Sequence, residues 1–165
     1  MQGMLSRGAR VVVFGVLMLP SAALADAPAR RDPDLVRARE LRAAAEALFE
    51  SPREWRKVAR LMEASASMRP ADDVEAYECL RYAANVRAAL GEHRHSRRLL
   101  ARAAEHALAR GAVLDAADAY LAAAVSAAEQ QKAGEATRYA EKVRLLAMSP
   151  LLSAAQSRAL LERIV

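Results

Sequence analysis

A single cysteine, Cys79, rules out an intramolecular disulfide, so this chain must hold its fold by packing alone. Two readings of Cys79 remain. It is a small buried apolar residue on a helix, as cysteine often is, or it bridges two chains in an oxidising compartment. Histidine is as scarce, with three residues, His93, His95 and His106. On a helix His93 and His95 point to different sides, while His95 and His106 share a face about 16 Å apart along the axis. No cysteine or carboxylate cluster joins them, so they are read as solvated histidines, and no metal or other cofactor is expected.

Glycine is also rare, and beyond the N-terminal stretch only Gly91, Gly111 and Gly134 occur. Each is expected at a helix end, where a positive φ is useful. No glycine-rich phosphate loop, no HExxH helix and no nucleophile beside a base is present, which argues against an enzyme. Valine, isoleucine and threonine are sparse and nowhere alternate with polar residues over a strand's length, which excludes a sheet.

The chain has one long apolar run, and it is too short to span a bilayer. Arg7 and Arg10 precede the apolar residues 11–19, Pro20 and Ser21 break the run, and Ala23-Leu24-Ala25 supplies a small-residue cleavage pattern. That order is a secretory signal peptide over residues 1–25, and the alternative is a retained anchor. Cleavage after Ala25 leaves a flexible segment at 26–33 and a domain at 34–165 in an exported, periplasmic or extracellular protein. It also lowers Lys plus Arg from 25 to 23 against 20 acids, a net charge of +3 with both signs interspersed. A nucleic-acid partner is not expected, because such a binder gathers its positive charge on one face. A chain of this size buries enough surface to fold without staples.

What is abundant is alanine, leucine, arginine and glutamate, all strong helix formers. Apolar residues recur at spacings of three and four, as in Trp55, Val58 and Met62 and again in Leu114, Ala117 and Leu121. The breaks predict seven helices: residues 34–50, 54–70, 72–91, 92–110, 112–130, 133–148 and 153–164. Ser51-Pro52-Arg53-Glu54 and Ser153-Ala154-Ala155-Gln156 read as capping boxes, and Asp72 with Glu75 as a third cap. Short connections make successive helices antiparallel neighbours.

The second, fourth and sixth helices align at offsets of 38 and 40 residues, starting from Glu54, Glu92 and Lys132. Val58, Ser96 and Ala136 then coincide, as do Ser65, Ala103 and Val143. In the preceding helices Ala45, Ala83 and Ala123 share a level, with Glu46, Ala84 and Ala124 at the next. A fixed period with recurrent small residues marks stacked helical hairpins. With these small positions, and with Trp55 early in a second helix where an aromatic is usual, residues 34–150 resemble the tetratricopeptide repeat family. The resemblance implies an all-α fold: a short α-solenoid of three antiparallel hairpins plus a C-terminal capping helix. It also implies that Trp55 is buried between the two helices of the first pair.

The same resemblance puts the first helix of each pair on a concave groove that binds a peptide or protein. Glu40, Ala43, Ala47 and Glu50 would line it, then Glu78, Arg81, Asn85 and Ala88, then Asp118, Leu121, Val125 and Ala128. Arg81 and Asn85, one turn apart, match part of a carboxylate clamp, but Asp118 and Ala122 stand where further bases would be expected. The other reading of Arg81 is a solvated residue paired to its neighbours. A basic patch of Arg94, Arg98 and Arg102, spaced by four with Arg97 beside them, would meet an acidic partner or an anionic polymer, or is simply a solvated face. The chain is thus expected to be a non-catalytic adaptor or scaffold. Its alternative is a self-associating structural subunit of an envelope assembly, a homo-oligomer.

Overall fold

A computed structural model describes residues 32–164. The expected signal peptide and most of the segment at 26–33 lie outside the described residues. Among those described there are α-helices and no strand: α1 Pro33–Leu48, α2 Trp55–Ser67, α3 Val74–Ala89, α4 His93–Ala109, α5 Val113–Glu129, α6 Ala133–Ala147 and α7 Ala154–Glu162, with a 3-10 turn at Pro52–Glu54 ahead of α2. No helix among the described residues is long and apolar enough to cross a membrane.

Local chemistry sets the helix starts. Asp32 accepts from the Asp34 amide at 3.0 Å and Pro33 takes the first helical position, where no amide is needed. Ser153 and Gln156 form a reciprocal capping box that starts α7. The two other expected caps need correction. Ser51 makes no side-chain bond, because the chain enters α2 through the 3-10 turn and the Glu54 amide donates to the Ser51 carbonyl at 2.9 Å. At α3 the capping residue is Asp73, not Asp72: its carboxylate accepts from the Glu75 amide at 2.7 Å and also from Arg69 at 3.0 Å.

Three turns share one construction. The amides of Glu92, Ala112 and Lys132 reach back five residues to the carbonyls of Arg87, Ala107 and Ala127, a Schellman closure. The residue just before each donor has positive φ: Gly91 at 76°, Gly111 at 74° and, in the third turn, Gln131 at 57°. Gly134 departs from the expectation, since it lies in the first turn of α6 without a positive φ. A side chain in the left-handed region is strained by roughly 1–2 kcal/mol, part of which glycine returns as backbone entropy. Gln131→Gly is therefore expected to stabilise the protein by about 0.5 kcal/mol, seen as a higher thermal midpoint. A lower midpoint would mean that the Gln131 side chain contributes more than its strain costs.

Each helix packs on its neighbour in sequence from α1 to α7. More than half of the buried apolar residues are alanines, so the backbones approach closely and only a few larger side chains fill the remaining space. Two of the aligned levels agree with this, while Ala136 is only partly buried and Glu46 is exposed. Ala45, Ala83 and Ala123 are fully buried, and so are Ser65, Ala103 and Val143. Ser65 donates to the Ala38 carbonyl at 2.7 Å, which satisfies the hydroxyl inside the core. Cys79 is buried beside it, with Sγ 3.7 Å from the Ser65 hydroxyl, and burial pushes its thiol pKa up. An interchain disulfide there would require local opening.

The expectation for Trp55 holds in part: the residue packs against the core, but it is partly rather than fully buried. The indole Nε1–H donates to the Phe49 carbonyl at 3.0 Å, and the ring stacks on Phe49 with centroids 6.3 Å apart. Phe49 ends α1, where carbonyls lack helical partners, so the indole satisfies one of them. Trp55→Phe keeps an aromatic ring, though a smaller one, and removes the donor. It should cost about 1 kcal/mol in urea titration; an unchanged midpoint would show that water replaces the indole fully.

Candidate functional site

Helices α1, α3 and α5 carry the residues expected on the groove. Arg42 of α1 bonds Glu46 at 2.9 Å and reaches Glu78 of α3 at 3.0 Å. The Glu46 bond, with help from Glu78, raises the Arg42 pKa above the usual arginine value despite partial burial. Glu78 is thus held in an ion pair with α1. Arg81 is exposed, yet its Nη1 donates to the Tyr77 hydroxyl at 3.0 Å and its guanidinium lies 5.5 Å from the centre of that ring. The Tyr77 hydroxyl donates onward to the Asp115 carbonyl of α5 at 3.3 Å. Arg110 stacks on the same ring at 4.9 Å and pairs with the Asp115 carboxylate. Burial keeps the Tyr77 pKa above its ordinary value. Asp118 is paired with Arg163, which follows α7, at 2.7 Å. Three of the charged candidates, Glu78, Arg81 and Asp118, therefore link one helix to another or lie on a neighbouring ring. No clamp of free bases is assembled.

The remaining candidates line two recesses. Asn85 walls a small notch of about 120 Å3 with Phe49, Trp55, Val86 and Ala89. The Tyr82 ring is tilted against Phe49, with centroids 5.1 Å apart. Leu121 and Val125 wall a larger recess of about 370 Å3 with α6 residues Ala136 and Ala140, and Arg144, Arg163 and Ile164 also line it. Leu121 is buried while Val125 is half exposed. Asn85 and Val125 are also the equivalent residues of α3 and α5 in the forty-residue register.

Phe49 and Tyr82 were missing from the sequence expectation, although Phe49 precedes Trp55 by only six residues at a helix end. The basic patch is placed in part as expected. Arg94, Arg98 and Arg102 are exposed on α4, but Arg97 is buried and pairs with Glu135 at 2.9 Å, so it is not part of the exposed stripe. The His95 side chain is 41% exposed, with its Nε2 3.2 Å from the Glu63 carboxylate. Among the described residues no group of three His, Cys, Asp or Glu could hold a metal ion. No protein-family model, no curated protein and no solved structure matches this chain.

Proposed function

We propose that this chain is a non-catalytic binding scaffold, a short TPR-like α-solenoid of three antiparallel hairpins capped by α7, whose α1–α3–α5 face holds a protein or peptide partner. The observation that carries this reading is a pair of recesses that share one equivalent position, Asn85 of α3 in the first and Val125 of α5 in the second. An aromatic-walled notch takes one apolar side chain, and the larger recess, with Arg144 on its wall, takes a longer segment with acidic character.

The stacking of hairpins is supported by bonds that skip one helix. Arg42–Glu78, Tyr77–Asp115 and Arg163–Asp118 run from α1 to α3, α5 and the residues after α7. His95–Glu63 and Arg97–Glu135 link α2, α4 and α6 in the same way. Residues 1–25 acting as a secretory signal would place the scaffold outside the cytoplasm.

The test is photo-crosslinking in the native host from position 85, with position 98 on α4 as the control. The expected result is one partner captured from 85 and not from 98, with the capture lost on adding Val125→Glu. Capture that ignores Val125→Glu would sink the groove reading.

A second reading, a self-associating structural subunit, is favoured by the apolar residues Leu145, Met148, Leu151 and Leu161, exposed on the last two helices and the turn between them. Light scattering at micromolar concentration separates the two: a monomer excludes self-association through this patch.

A further inference from the structure

The row made by α1, α3, α5 and α7 is cut short at its last member. α3 has 16 residues and α5 has 17, whereas α7 has 9. α7 lies alongside α5. Leu152 and Gln156, near its start, share a recess wall with Leu114 and Asp115 at the start of α5, and Arg163, just past its end, pairs with Asp118 at 2.7 Å. From Leu121 to Glu129 α5 then runs on for about 12 Å, roughly two turns, with no described member of the row beside it.

The consequence is visible on α6. In the forty-residue register Ser96 and Leu100 of α4 correspond to Ala136 and Ala140 of α6, and Ala103 and Ala107 correspond to Val143 and Ala147. All four are buried in α4, but in α6 only Val143 and Ala147 are. Ala136 and Ala140 instead line the recess of about 370 Å3 with Leu121 and Val125 of α5, and Arg163 and Ile164 are on its wall. The recess thus lies where further turns of α7 would run.

Its lining is mostly apolar, and the charge left on it is positive. Arg163 is neutralised by Asp118, whereas Arg144 is exposed and pairs with no carboxylate among the described residues. An apolar groove beside such an arginine complements an amphipathic segment that carries a carboxylate. That segment is a helix rather than a strand. Both walls are helices with no open backbone edge for a strand to bond, and a helix satisfies its own backbone.

We infer that this recess receives an amphipathic helix of about two to three turns from another protein, laid in line with α7, with its apolar face on Leu121 and Val125 and a carboxylate at Arg144. This names the occupant of one recess of the scaffold face and rests on that reading.

NMR titration of the full chain with a synthetic helix tests it. The peptide has about 15 residues, enough to hold a helix in water. It carries leucines spaced by three and four on one face, a glutamate beside them, and glutamate–lysine pairs on the other face. Saturable amide shifts are expected at residues 121–128 and 136–144. Ala128→Glu and Thr137→Glu, at exposed positions on the two walls, should each weaken binding by about tenfold, with circular dichroism confirming the fold. Arg144→Ala should weaken it about threefold, and that loss should vanish when the peptide's glutamate is replaced by glutamine. The inference is overturned by the absence of saturable shifts at millimolar peptide, by shifts centred elsewhere, or by binding that both wall variants leave unchanged. Recess amides that shift with protein concentration alone would overturn it too, by seating a second copy there. The peptide reads the recess without the natural partner. Peptide binding with no partner captured from position 85 would leave this inference standing and remove the scaffold reading, and a captured partner without peptide binding would do the reverse.

Discussion

Leu80→Ala is expected to destabilise the protein by about 3 kcal/mol. Leu80 is fully buried in α3, which packs against α2 on one side and α4 on the other. The cost of such a truncation has two parts, the lost transfer of the removed atoms and the cavity they leave. The second part depends on how far the neighbours can collapse. In this core they can collapse very little. Its members are mostly alanines, including Ala76, Ala83 and Ala84 on the same helix, whose side chains have no rotamers with which to fill a void. A domain's whole stability is of the order of 5–15 kcal/mol, so the loss is a large fraction of it. Denaturant titration gives the number directly. A loss below about 1 kcal/mol would mean that the helices close on one another freely and that the alanine core is not tightly packed.

The second large effect is expected at Arg87. This buried guanidinium on α3 bonds Glu63 of α2 through Nε at 3.0 Å and Nη2 at 2.8 Å, and bonds Glu92 ahead of α4 through Nη1 at 2.6 Å. Burial works against its charge, yet the Glu63 and Glu92 bonds outweigh that and hold its pKa above the usual arginine value. Arg87→Met keeps the apolar stem but takes from Glu63 and Glu92 their buried partner, leaving His95 at 3.2 Å from Glu63 and Arg56 at 3.4 Å from Glu92. Because Glu63 and Glu92 are partly solvated, the cost should be about 2 kcal/mol rather than the 3–5 of a wholly buried pair.

The pH dependence gives an independent readout. The Arg87 hydrogen bond holds the Glu92 carboxyl below its ordinary pKa, with burial opposing it weakly. A carboxyl depressed in the folded state stabilises above its unfolded pKa, about 4.3. That contribution is lost as pH falls through the folded value. The wild type should therefore lose stability below about pH 4, and Arg87→Met should show a shallower acid slope over that window. Equal slopes would place the acid sensitivity on other carboxylates.

Much of the local structure was legible in the sequence. Helix bounds follow from composition and from stop signals such as Gly91 and Gly111, and most agree to within two residues. The Ser153–Gln156 box formed because both its bonds lie within four residues. The buried alignment levels, Ala45, Ala83 and Ala123, were readable for the same reason: a period repeated along one chain needs no knowledge of what it packs against.

The corrections at Ser51 and Asp72 are local as well: a 3-10 turn replaces the Ser51 cap, and the cap of α3 falls one residue later than expected. Asp73 caps α3 while also accepting from Arg69, and Trp55 turns to the orphan carbonyl of Phe49. The candidate groove was legible as a set of positions but not as a surface. Whether Arg81 faces a ligand or Tyr77, and whether Asp118 is free or paired with Arg163 forty-five residues later, depends on contacts between helices.

By itself, then, the sequence determined the helices, their order and their small-residue levels, because propensity, capping and periodicity act over a few residues. Only the tertiary structure decided which charges are left over. Arg97 and Arg98 are chemically identical neighbours, and the approach of α6 buries the first against Glu135 while leaving the second on the surface.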